Sequence, residues 1–281
     1  MTMLEQMTVY TSMTDDMLQK ILSQGEMPDV LRESMRYSVF AGGKRLRPAL
    51  CLAACELLHG EIQNALLPAC ALEMIHTYSL IHDDLPALDN DDLRRGKPSN
   101  HAKFGEANAI IAGDGLQALA FQTLAAAENP NAFAAVARGA FEMVAGQSYD
   151  LTCGNNPELL PVIHRLKTGA LIRASLLVGA YCACPTEQEI YQLEQFAQHF
   201  GLLFQITDDI LDAEGDTAVL GKTIGKDAEE NKLTFVTRYG LDGAKQHADV
   251  CMADALNALE GFGERAQFFT QLVEYTRNRK A

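Results

Sequence analysis

Two groups of aspartates carry the chemistry this chain can do. The first is Asp83, Asp84 and Asp89, continued by Asn90, Asp91, Asp92, Arg94 and Arg95. The second is Asp208, Asp209 and Asp212. Carboxylates at this density repel one another and resist leaving water unless a cation sits among them. A hard divalent ion such as Mg²⁺ takes oxygen ligands, commonly one or two carboxylates, waters and substrate phosphates. Two such groups, far apart in sequence, could clamp one diphosphate from two sides.

The elements that position them can be read from spacing. Each group follows an apolar, helix-like segment, residues 74–81 and 200–207. Asp208 and Asp212 are about 40° apart around a helix and share one face. Asp83 and Asp89 are about 240° apart on an unbroken helix, and Pro86 has no N–H to offer a helix interior. The chain is therefore expected to turn near Pro86 and bring Asp89 back beside Asp83. Gln205 lies three residues before Asp208, and His76 seven before Asp83, so each shares a helix face with its aspartate.

Basic residues gather in islands: Lys44-Arg45-Leu46-Arg47, Arg94-Arg95, and Lys222, Lys226 and Lys232. Gly42-Gly43 would let the backbone approach an anion, and the helix start that follows adds partial positive charge. Lys167-Thr168-Gly169 falls inside a helical stretch, where glycine costs about 1 kcal/mol against alanine. A break there could turn a carbonyl toward a ligand.

The 281 residues are 48% hydrophobic, enough for a sizeable core and one large domain. A net charge of −14 opposes general nucleic-acid binding, which needs clustered Lys and Arg. An acidic chain with small basic islands suits a small anionic ligand bridged by cations. The seven cysteines form no CxxC pair, and Cys51 and Cys55 read as reduced core residues. No uninterrupted apolar run reaches the roughly 20 residues of a membrane span, and residues 1–20 lack a basic-then-apolar leader layout. The expectation is a cytoplasmic protein without stable membrane insertion.

Periodicity is helical almost throughout. Thr14 is expected to cap an early helix and Pro48 to open one ending near His59. Further helices are expected over 62–85, 108–127, 132–149, 159–182, 186–211, 231–239, 243–259 and 264–279. The expectation is one all-α domain, a helical bundle around a deep central cavity.

The ordered motifs GGKRLRP (42–48), HDDLPALDNDDLRRGKPS (82–99), GQSYDL (146–151), KTGALI (167–172), FQITDDILD (204–212) and GKTIGKD (221–227) resemble the trans-isoprenyl diphosphate synthases. Among these they look most like the bacterial farnesyl diphosphate synthases. The resemblance implies the isoprenoid synthase bundle, a homodimer, and prenyl transfer from an allylic diphosphate to isopentenyl diphosphate. It implies three Mg²⁺ ions held by Asp83, Asp84, Asp89, Asp208 and Asp212. It gives Arg94, Lys167 and Lys222 to the allylic diphosphate, and Lys44, Arg47, His76 and Arg95 to isopentenyl diphosphate. Thr168 and Gln205 would line the reacting centre, and Lys232 would follow a closing loop. Glu230-Asn231 departs from the small residue that many members carry before that lysine.

Tyr78 and Ser79, about one turn before Asp83, would limit the tunnel and stop growth at fifteen carbons, with geranylgeranyl diphosphate as the alternative product. A terpene cyclase shares the fold but habitually carries one strong Asp motif. A non-catalytic synthase subunit tends to lose motifs that this chain keeps.

Overall fold

The computed structural model describes residues 1–153, 156–214 and 233–279. Twelve α-helices run through the described residues: α1 Met3–Ser23, α2 Asp29–Val39, α3 Leu46–Leu57, α4 Ile62–Asp83, α5 Asn100–Phe104, α6 Glu106–Ala126, α7 Pro130–Cys153, α8 Leu160–His164, α9 Ala170–Tyr181, α10 Glu187–Glu214, α11 Phe235–Leu259 and α12 Gln267–Asn278. A π-helical turn, Arg165–Gly169, joins α8 to α9, and a 3₁₀ segment, Glu260–Ala266, joins α11 to α12. The all-α expectation holds, with one small addition. Leu93–Arg94 (β1) and Lys97–Pro98 (β2) form a two-stranded antiparallel hairpin.

Local chemistry explains most boundaries. Thr2, not Thr14, caps α1. Its side chain accepts from the Glu5 amide while the Glu5 carboxylate accepts from the Thr2 amide, a reciprocal pair that satisfies two orphan donors. Thr14 lies buried inside α1, with its hydroxyl donating to the Tyr10 carbonyl at 2.8 Å. Pro48 sits in the first turn of α3, where a missing N–H costs nothing. Arg45, just before α3, is buried at φ 48°. It pairs with Asp15 and Glu73, each at 2.8 Å, and donates to the Val39 carbonyl at 2.7 Å. The middle residue of GGKRLRP is thus structural, tying α1, α2 and α4 together.

The long helices pack pairwise, α10 on α11, α4 on α6, and α3 and α7 on α9. Phe196, Phe200 and Phe269 stack between α10 and α12, with ring centroids 5.3–5.4 Å apart. Cys51 and Cys55 are buried free thiols, as expected. Among the described residues α6 is long and apolar enough to cross a membrane, which the reading of interrupted runs did not anticipate. In the structure it is a wall of the bundle, packed on α4 and α2.

Candidate active site

One cavity of about 1180 Å³ opens between α4, α7, the π-turn, α9 and α10. Asp83 and Asp89 line it from one side, Asp208 and Asp212 from another. Its apolar wall includes Tyr78, Met143, Leu171 and Phe204. The first Asp group reaches it through the expected turn. Helix α4 stops at Asp83, and the Asp89 amide then donates back to the Asp83 carbonyl at 2.9 Å. Burial pushes the Asp83 carboxyl up to about 6; Lys167 opposes the shift, and the neighbouring Asp89 adds to it.

The basic side is set by the hairpin. Arg95 and Gly96 both have positive φ, 53° and 72°, the two-residue turn that matches the strand twist. The turn sends the Arg95 guanidinium onto the Gly42 carbonyl. Gly43, at φ 116°, leaves room for it, since a Cβ there would lie 2.7 Å from the guanidinium carbon. Arg47 lines the cavity, and among the described residues its buried Nε has no hydrogen-bond partner. Burial and, less strongly, Arg47, Arg95, Arg94 and Arg45 hold the His76 imidazole well below its ordinary pKa. A neutral imidazole among four guanidinium groups is the electrostatics of an anion site.

The π-turn faces this arrangement. Such turns interrupt a helix and commonly mark functional sites. Gly146 of α7 packs directly on it; a Cβ there would lie 2.2 Å from the Lys167 backbone nitrogen. Lys167 pairs with Asp150 of α7 at 2.6 Å. Thr168 donates to the Gln205 carbonyl oxygen at 2.8 Å. The Gln205 amide leans toward Asp209 at 3.4 Å, and the Asp209 carboxylate accepts from the Phe235 amide at 2.8 Å. This relay ties the π-turn to α10 and to the start of α11. Beside it, Asp208 pairs with Arg279.

Residues 28–268 match the sequence profile described as polyprenyl synthetase. The chain is 49% identical over 251 residues to the geranylgeranyl pyrophosphate synthase, chloroplastic, of Capsicum annuum, covering 85% of this chain and 68% of that one. It superposes on the crystal structure of geranyltransferase from Legionella pneumophila with a TM-score of 0.87, at 34% identity, covering 99% of this chain and 97% of that one. An FPP/GFPP synthase from Zymomonas mobilis gives 0.84, again at 34% identity, covering 98% and 99%. The chain belongs to the polyprenyl synthetase family.

Most of the residues singled out for a polyprenyl synthetase meet in the cavity. From α3 and α4 come Arg47, His76, Tyr78, Ser79 and Asp83. The turn and hairpin give Asp89, Arg94 and Arg95; the π-turn gives Lys167 and Thr168; α10 gives Gln205, Asp208 and Asp212. Two stand apart. Asp84 was expected to face a metal, yet it is 2% exposed and gripped by Arg94, whose Nε lies 2.9 and 3.1 Å from its two oxygens. Burial pushes the Asp84 carboxyl up while Arg94 pulls it back. Lys44 is exposed and does not line the cavity. Lys222, Lys232, the 221–226 loop and Glu230-Asn231 lie outside the described residues.

The structure also adds residues that spacing did not single out. Gln147, whose buried Oε1 has no partner among the described residues, lines the cavity beside Ser148. Asp150 holds Lys167. Both belong to GQSYDL, three residues apart on one face of α7, and that spacing could have flagged them. No sequence signal pointed to Arg279.

Proposed function

We propose that this polyprenyl synthetase joins isopentenyl diphosphate head-to-tail to an allylic diphosphate, in a Mg²⁺-dependent prenyl transfer. The observation that carries the reading is one cavity that brings together two separate carboxylate groups, a cluster of arginines and an apolar wall.

The donor set suits a hard cation. Asp83 sits half-buried beside like charge and gains from one. Among the described residues no three His, Cys, Asp or Glu groups close into a cage, and an ion shared with substrate phosphates needs none. Asp83 and Asp89 on one side and Asp208 and Asp212 on the other would hold it. Mg²⁺, in three ions as the resemblance implies, supplies charge that stabilises a departing diphosphate.

The chain's own residues do the rest. Lys167 and Arg94 neutralise the leaving group from the protein side. Arg47 and Arg95 hold the diphosphate that stays, with His76 neutral beside them. Thr168 and Gln205 present oxygen dipoles to the positive carbon, and the wall of Met143, Leu171 and Phe204 excludes water from it. The released diphosphate takes the proton, so no side-chain base is required.

For the product, we favour twenty-carbon geranylgeranyl diphosphate over the fifteen-carbon expectation. The reason is that relatives 46–49% identical carry the geranylgeranyl name. Farnesyl diphosphate is the second reading, supported by the bulk of Tyr78 on the cavity wall. A homodimer would cover Ile110 and Ile111 of α6 and Phe133 and Phe141 of α7, which are exposed. The pepper relative is named as a chloroplast enzyme, so a plastid stands beside the cytoplasm as the compartment.

The deciding test incubates the purified chain with Mg²⁺, labelled isopentenyl diphosphate and dimethylallyl diphosphate, and chromatographs the dephosphorylated products. A dominant twenty-carbon alcohol supports the main reading, and a clean stop at fifteen the second. Wild-type enzyme that makes no prenyl product from any allylic primer would sink both.

A further inference from the structure

Tyr78 is the bulky residue expected to meet the growing chain, and its ring is not positioned by α4 alone. It meets the His82 imidazole edge-on, with centroids 5.8 Å apart at 74°. The two are i, i+4 neighbours on α4, and both line the cavity. His82 is anchored in turn on α6. Its Nε2 lies 3.1 Å from the Ile110 carbonyl oxygen and 3.9 Å from an Asp114 carboxylate oxygen. In the tautomer that carries a proton there, Nε2 donates to that carbonyl.

Gly113 makes the anchoring possible. A Cβ at Gly113 would lie 2.1 Å from His82 Nε2 and 2.5 Å from Cδ2. The glycine sits mid-helix with no positive φ, so the backbone does not require it. In such a place it costs about 1 kcal/mol against alanine, and room for the imidazole explains why it is there. One turn further on, Gln117 stands beside the buried Tyr78 hydroxyl. Ile110, Gly113, Asp114 and Gln117 are spaced i, i+3, i+4 and i+7, a single face of α6.

We infer that two α6 residues are positioning residues for product length: Gly113, through His82, and Gln117, beside the phenol hydroxyl, fix how far the Tyr78 ring stands into the cavity. This rests on the reading of the cavity as a prenyl-chain tunnel. A methyl group at position 113 must push the imidazole off the Ile110 carbonyl toward Tyr78 and the cavity, and the tunnel narrows. Shortening Gln117 opens space behind the phenol ring, and the tunnel deepens. Neither residue lines the cavity, so the first condensation should be spared.

The test uses the purified full chain with Mg²⁺, isopentenyl diphosphate and dimethylallyl diphosphate. It measures both the product-length ratio and kcat/KM for the first condensation. Gly113→Ala should move the ratio of the longest product to the next shorter one by about tenfold toward the shorter, the discrimination a single methylene commonly gives. Gln117→Ala should move it the other way, with the first-step kcat/KM held within about twofold in both, a difference below about 0.4 kcal/mol. Adding His82→Ala to Gly113→Ala should restore or lengthen the product, because the methyl group then has no ring to displace.

Folded, active Gly113→Ala and Gln117→Ala enzymes with the wild-type ratio would overturn the inference. A uniform slowing of every step at an unchanged ratio would also overturn it, marking these residues as structural only. If Gly113→Ala does not fold, Gln117→Ala decides alone. A wild type that makes no prenyl product removes the underlying reading, whereas wild-type turnover with unshifted variant ratios removes this inference only.

Discussion

Asp83→Asn should stabilise the metal-free protein while nearly abolishing its activity. The folded structure holds the Asp83 carboxyl at about 6, against an ordinary 3.8. A carboxyl whose pKa is raised on folding binds its proton more tightly in the native state, so its ionisation opposes folding. The penalty is absent below about pH 4, develops as pH rises toward 6, and is complete above that. The rise from 3.8 to about 6, at 1.36 kcal/mol per tenfold change in proton affinity, sets the penalty at up to about 3 kcal/mol. An asparagine keeps the shape and loses the charge. At about 2 °C per kcal/mol for a chain of this size, Tm in EDTA at pH 8 should rise by about 6 °C. The gain should vanish near pH 4 and shrink when Mg²⁺ and an unreactive diphosphate analogue are added, because only the wild type then recovers a partner for the charge. Turnover should fall more than a hundredfold, since the carboxylate helps hold the leaving group's counter-charge. Calorimetry of both proteins, with and without Mg²⁺, is the assay. An unchanged or lower Tm for Asp83→Asn in EDTA, with native circular dichroism, would refute the claim that Asp83 is an electrostatic burden until a cation joins it.

Three further outcomes are expected. Chelation should abolish turnover and Mg²⁺ should restore it, and an analogue at 100 times its Kd should stabilise the Mg²⁺-loaded protein by about 2.7 kcal/mol in thermal melts; full activity in excess EDTA would defeat this. Arg47→Ala should raise KM for isopentenyl diphosphate about tenfold or more, the value of a charge-assisted hydrogen bond, while Lys44→Ala, exposed and off the cavity, should raise it far less; steady-state kinetics with each substrate varied would reverse the assignment if only the allylic KM moved. His164, pushed down to about 4 mainly by burial, is a base with a depressed native pKa, so its contribution is complete above about pH 6.5 and is lost as pH falls toward 4, by up to about 3 kcal/mol. Urea unfolding of His164→Phe should show a flatter pH dependence over that window than wild type, and parallel curves would count against it.

The fold was legible because its signals are local. Helical periodicity, the glycine and proline breaks and the caps act over a few residues, and the bundle followed from them. Thr14 misled because a Thr-Asp-Asp run looks like a cap, whereas a hydroxyl inside a helix can satisfy itself on the preceding turn, as Thr14 does on Tyr10. In the site, the turn at Pro86 could be derived from spacing alone, since only a fold-back brings Asp89 to Asp83. What spacing could not tell was which of two adjacent aspartates faces the cavity. Asp83 and Asp84 have identical side chains, and only the hairpin, formed by a turn eleven residues on, puts Arg94 against Asp84 and leaves Asp83 to the cavity. Arg279 was invisible for the same reason. Its partner Asp208 is 71 positions away, and nothing local marks a long-range ion pair.

The same contrast explains how the site keeps its charges apart. Of the basic residues flanking the cavity, Arg45 is held by Asp15 and Glu73, and Arg94 braces Asp84 while still lining the cavity. These pairs fix the loop before α3 and the hairpin, the two segments that aim Arg47 and Arg95. Among the described residues Arg47 has no hydrogen bond at its buried Nε, and Asp83 carries a carboxyl that burial disfavours. Such groups cost stability unless they meet an opposite charge. The protein places them where an anion and a cation would bind together. Structural ion pairs thus hold the frame around Arg47 and Asp83, whose remaining capacity suits an anion and a cation bound together. The stabilising effect of Asp83→Asn and the KM effect of Arg47→Ala are two measurements of this one arrangement.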